Sequence, residues 1–153
     1  MGGTNRLQRR LYSWRHIDKD CIVIHGTVTG LQAQVNLILR LPGHQDVEVE
    51  CVVDTGFAGA LTLPPAMVTT PGLPYIIRIN ANLADDTNVM TSVYGATVVW
   101  HGVERNIAVL AMGRRPLVGT ALLEDSNLSI DFYEGGSVIG NVLGLLFSLR
   151  RTG

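Results

Sequence analysis

Neither charge nor cysteine is abundant in this 153-residue chain: 12 basic residues stand against 13 acidic ones, a net charge of -1, and cysteine occurs twice. A balance this near zero offers no electrostatic footprint for nucleic acid, and the small basic group Arg6, Arg9, Arg10 and Arg15 reads as a solvated tail. Cys21 and Cys51 are too few for a disulfide framework and stand in no Cys-x-x-Cys or Cys/His spacing that suits zinc. His16, His25, His44 and His101 are scattered, and there is no Gly-x-Ser-x-Gly elbow or phosphate-binding glycine loop. No metal and no organic cofactor is expected.

Long hydrophobic runs are also missing. The apolar stretch at 138–149 falls short of the ~20 residues that cross a bilayer, so it is expected to form a strand or a buried subunit contact. The start of the chain lacks the apolar core of a secretory signal, and Arg6 stands where a myristoylation signal wants Ser or Thr. A cytoplasmic location without membrane attachment is the expectation, and the Asn127-Leu128-Ser129 sequon is read as incidental.

What the chain does have is 46% apolar content in short runs separated by turn residues, which suits one all-β domain with a real core. Residues 1–20 read as a basic extension, 21–140 as the domain and 141–153 as an apolar tail. Strands are expected at 22–28, 33–41, 47–53, 75–79, 93–100, 105–110 and 128–132, with a last one from 137. In the third of these, Val47, Val49, Cys51 and Val53 alternate with Glu48, Glu50, Val52 and Asp54, so the strand ends by exposing the Asp54 carboxylate. One short helix is expected in the second half of 116–125, and residues 66–70 have room for a single turn between their prolines.

Val52-Val53-Asp54-Thr55-Gly56, followed by Phe57-Ala58-Gly59-Ala60-Leu61-Thr62-Leu63-Pro64, carries apolar residues straight into Asp-Thr-Gly and back to apolar strand character. Downstream, Pro116-Leu117-Val118-Gly119-Thr120-Ala121-Leu122-Leu123 runs two apolar residues into a glycine and then a segment of helical composition. In this pairing the chain resembles the retropepsin-like aspartic proteases, most of all their small bacterial and archaeal members. The resemblance implies a closed β barrel and an aspartic endopeptidase. Asp54, Thr55 and Gly56 would be the catalytic turn, with Leu117, Val118 and Gly119 the loop beneath it.

In that family the threonine hydroxyls bond across a twofold axis and the glycine lets the backbone pack under the carboxylates. A glycine is also the residue that tolerates a backbone conformation closed to Cβ-bearing residues. An activated-water mechanism needs one group to take a proton and another to give one, which in this family two carboxylates do; this chain has one Asp-Thr-Gly, so the resemblance and the count together imply a homodimer acting on a peptide or protein. Leu83-Ala84-Asp85-Asp86-Thr87 is similar to the family's flap, with Asp86 in place of the usual glycine. Asp85, Asp86 and Thr87 are therefore substrate-binding candidates, together with Phe57 and Ala58. The Phe57 ring either lines a pocket or caps the core, the second being favoured.

Two rival readings share these residues. One is a catalytically silent module that holds an extended peptide by strand addition; the other is a structural β domain with an incidental Asp-Thr-Gly. Two further expectations are that the run 138–149 helps build the dimer and that the basic leader is trimmed by the enzyme itself.

Overall fold

The computed structural model describes residues 23–143. Ten strands form one sheet, in chain order β1 (Ile24–Thr29), β2 (Gln32–Arg40), β3 (Val47–Val53), β4 (Leu61–Leu63), β5 (Tyr75–Asn82), β6 (Asn88–Trp100), β7 (Val103–Ala111), β8 (Leu117–Val118), β9 (Ser126–Ile130) and β10 (Ser137–Val142). Their order across the sheet is β5-β6-β7-β4-β8-β3-β2-β1-β10-β9. A further pairing joins β2 to β6, with Leu39 opposite Val98, so the hydrogen-bonded path from β2 through β3, β8, β4, β7 and β6 returns to β2.

The core lies inside that path. Along β2, Val35, Leu37 and Leu39 are buried while Asn36 and Ile38 face outward, the period-two pattern of a strand with one wet face. Leu61, Leu63, Val98, Val109, Val118 and Leu122 are fully buried, and each leucine contributes about 1.5–3 kcal/mol by leaving water. The inward row of β3 is shorter than its alternation suggests. Val49 and Cys51 are buried, but Val47 is exposed and Val53 half-buried, because the strand runs out of the core at both ends. Burial, with the neighbouring Glu50 charge, pushes the Cys51 thiol up to about 12.

Several boundaries differ from the sequence reading. The described residues hold two short helices instead of one: α1 (Pro65–Thr69) and α2 (Thr120–Leu123). Pro65 at the start of α1 presets the helical φ, and fully buried Val68 anchors the turn, so packing compensates for its shortness. β4 is confined to Leu61–Leu63 because 57–60 form a loop. β5 and β6 run on through the polar segment expected to lie between them, their ladder ending at Asn82 opposite Asn88. A solvated ribbon needs no apolar alternation to keep its backbone bonds.

β9 begins two residues before the expected strand and ends two before its close, and β10 extends to Val142. The leader, Cys21 and residues 144–149 of the apolar run lie outside the described residues. None of the helices among the described residues is long and apolar enough to cross a membrane.

Candidate active site

Asp54 leaves the sheet at the end of β3, where that strand runs parallel to β8 with Val52 opposite Leu117 and Val53 opposite Val118. Its amide donates to the Val118 carbonyl at 2.9 Å, and two residues earlier Val52 N donates to Pro116 O at 2.9 Å. The chain then turns: Phe57 N donates to Asp54 O at 3.2 Å, and Gly56 N donates to the carboxylate oxygen Oδ1 at 2.9 Å. This aspartate-led turn fixes the side chain from within its own loop. Asp54 is half-buried, while Thr55 and Gly56 are exposed.

The loop after the turn is welded to α2. Gly119 N donates to Ala60 O at 3.0 Å, Thr120 N to Phe57 O at 2.8 Å and Ala121 N to Gly59 O at 3.2 Å. Three amides at the start of a helix, which have no partner within it, thus find carbonyls in the 57–60 loop. The approach is close enough to exclude any side chain at Gly119: a Cβ there would collide with the Gly59 carbonyl and the Phe57 ring and stand 2.6 Å from Phe57 O. Gly56 is different. It has no positive φ, and a Cβ would meet only Asp54 Oδ1, at 3.3 Å. The expected need for a special backbone conformation does not hold at Gly56; closeness to the carboxylate it binds is the constraint there.

A groove of about 370 Å³ opens beside Asp54. Val52, Val53, Thr55 and Leu117 come from the elements just described. Leu31, Gln32 and Ala33 enter from the β1–β2 turn, and Ile130 and Phe132 from the end of β9. Asp54 is the one carboxylate lining it, and no basic side chain does. Phe57 and Ala58 do not line this groove. The half-buried Phe57 ring lies against Gly59 and Gly119, which is the core-capping placement, and Ala58 is exposed. Sequence reasoning missed Leu31, Gln32, Ile130 and Phe132, none of which belongs to a motif. A larger hollow of about 580 Å³, between the far end of β2–β3 and α1, has no carboxylate in its lining.

Asp85, Asp86 and Thr87 form the tip of the β5–β6 hairpin. Leu83 N donates to Thr87 O at 2.8 Å and Asp86 N to Leu83 O at 3.0 Å. Asp86 adopts φ 64°, the left-handed conformation that a glycine supplies freely and that aspartate tolerates better than most residues. Asp85 Oδ1 accepts from Thr87 Oγ1 at 2.6 Å and from Thr87 N at 3.1 Å, and these bonds hold its carboxyl below the ordinary carboxylate range. All three residues are exposed, and neither a hydrogen bond nor a shared groove joins them to Asp54 within one chain. Among the described residues no cluster of three or more His, Cys, Asp or Glu side chains could hold a metal ion.

No protein-family model and no curated protein matches the chain. Among solved structures it is similar to a retropepsin-like aspartic protease from Rickettsia conorii, at 19% identity and a TM-score of 0.52, over 78% of this chain and 90% of the other. At that identity the likeness concerns the fold.

Proposed function

We propose that the chain is an aspartic endopeptidase working as a homodimer, with Asp54 of each copy meeting at a twofold axis between two closed retropepsin-like barrels. The observation that carries this reading is the placement of Asp54. A single half-buried carboxylate stands at the end of a core strand, held by one backbone donor, on an open groove that contains no second carboxylate. One copy is half of a catalytic pair. Two copies about 3 Å apart at their carboxyls would share one proton, since both cannot ionise at that distance. The ionised member takes a proton from water as it attacks the peptide carbonyl, and the protonated member gives one to the carbonyl oxygen.

The surrounding residues support the same arrangement. Thr55 is exposed and makes no hydrogen bond among the described residues, so its hydroxyl is available to Thr55 of the second copy. Gly119 lets the β8–α2 loop support the catalytic turn, and the β5–β6 hairpin would close over a bound peptide. The silent peptide-binding module remains the second reading, but Asp86 does not favour it: with φ 64° this residue serves the turn as a glycine would.

The test is to incubate the purified chain with a diverse peptide pool from about pH 3.5 to 7.5, beside an Asp54→Asn variant confirmed to be folded and dimeric. Cleavage by the wild type alone is the expected result. Peptide binding without cleavage by either protein would establish the silent module, and a monomeric wild type would exclude both dimeric readings.

A further inference from the structure

Arg114 and Arg115 immediately precede Pro116 and Leu117, the second of which lines the Asp54 groove. Both arginines are exposed, and neither forms an ion pair; among the described residues the ion pairs are those of Arg40 with Asp46 and Glu104. Two cations without carboxylate partners therefore stand next to a groove whose own lining holds a single carboxylate and no basic side chain.

Neutral groups hold Arg115 in place. Its Nη1 donates to Gln32 Oε1 at 2.6 Å, and Gln32 lines the groove with Asp54. Its Nη2 donates at 3.2 Å to the oxygen of the Gln34 amide, whose nitrogen donates in turn to Glu50 Oε1 at 3.0 Å. Gln34 is 8% exposed, so this amide is a buried bracket that needs both of its partners. Gln34 lies opposite Val52 in the sheet, and Gln32, two residues away, projects from the same face of β2. The guanidinium thus lies along the sheet face that carries the groove, one side chain back from it.

Amide oxygens orient a guanidinium without cancelling its charge. Of its five N–H donors these bonds use two, and the three that remain lie in a plane that suits a carboxylate. A cation that is fixed in direction, open to solvent and unneutralised is built to meet an anion from outside the chain.

We infer that Arg115 is a specificity-determining residue that takes the carboxylate of an aspartate or glutamate in an extended peptide lying along the Asp54 groove. Arg114 adds attraction at longer range, Gln32 and Gln34 are the positioning residues of the guanidinium, and acidic peptides are the preferred class. The inference rests on the Asp54 groove being the peptide site.

The test uses labelled octapeptides in matched pairs, Glu against Gln, at each position in turn around a fixed centre. Binding to the full-length Asp54→Asn protein is read by anisotropy, and cleavage by the wild type by mass spectrometry. At one position or more the Glu member should be favoured about tenfold at about pH 6 but only about twofold at about pH 3.5, where most of the free carboxyl is protonated. Arg115→Met, which keeps much of the side chain's bulk, should remove the preference. Arg115→Lys should keep part of it, because the charge stays while the fork is lost, and Arg114→Gln should mainly weaken its dependence on salt. An unchanged preference in Arg115→Met overturns the inference, as does a preference that is as large at the lower pH, a readout that needs no substitution at Arg115. Cleavage with no Glu preference also overturns it and leaves the peptidase reading standing. Glu-selective binding with no cleavage does the reverse, and no binding of any peptide removes both.

Discussion

The turn at Asp54 and the hairpin tip at Asp85 are built from the same local device. In each, an aspartate Oδ1 accepts from the backbone amide two residues later, Gly56 at 2.9 Å and Thr87 at 3.1 Å. Their surroundings are opposite. The Asp54 turn is bound through its amide to β8 and through its following loop to the amides of Gly119 and the first two residues of α2, around a glycine that admits no Cβ. The Asp85 tip has bonds only to its own hairpin, and its acidic side chains stand in water. A turn motif alone therefore says little about rigidity. What the chain packs against it decides whether the aspartate is held to a fixed position or free to move with a ribbon.

The largest effect that would break this contrast is chemical. Asp54→Asn keeps the Gly56 bond to the side-chain oxygen and should leave the fold intact while lowering peptide cleavage about 10²-fold or more; residual wild-type rates would show that Asp54 is an ordinary turn residue. Next come the supports. Leu122→Ala, which empties a fully buried position on α2, should cost about 2–5 kcal/mol in urea unfolding. Gly119→Ala should cost about 1–3 kcal/mol or more, because its Cβ meets backbone that cannot yield. Gly56→Ala should stay within about 0.5 kcal/mol of the wild type, since only a carboxylate oxygen 3.3 Å away has to shift. Equal losses at the two glycines would erase the distinction between the support and the turn.

At the hairpin tip the effects are smaller. Asp86→Val should weaken the ribbon by about 1–2 kcal/mol, read as faster amide exchange in β5 and β6, while Asp86→Gly leaves exchange nearly unchanged. A protected ribbon in Asp86→Val would mean that the left-handed turn does not limit it. The smallest effect is on titration. The folded Asp85 carboxyl titrates below its ordinary 3.8, so its bonds with Thr87 are intact above that value and are lost as pH falls further, through the lowered pKa. NMR titration of Thr87→Val should return Asp85 toward 3.8, and an unmoved value would assign the shift to some other neighbour.

Much of the sheet was legible because its cues are local. The alternation in 47–53 marks a strand with one buried row, and the apolar runs are interrupted at Gly30, Gly43 and Gly102, where the chain turns with positive φ. Gly119 could be singled out because its motif lies within eight consecutive residues. The short α1 and the long polar arms of β5 and β6 were harder to read: Val68 is held by tertiary burial, and hydrogen-bonded ribbons in solvent carry no hydrophobic period. Gly56 was read as needing an unusual backbone when it needs only room.

By itself the sequence determined the mostly β class, the strand that ends in a carboxylate and the presence of one such turn per chain, because each follows from residues adjacent along the backbone. Tertiary structure alone decided what flanks that carboxylate. Leu31, Ile130 and Phe132 meet at Asp54 only because β1 pairs with both β2 and β10, and because Glu134 reaches back across 104 residues to an amide in the first turn. No local pattern records such a meeting. It arises when the sheet folds over its core and brings distant loops to one end of the same strands.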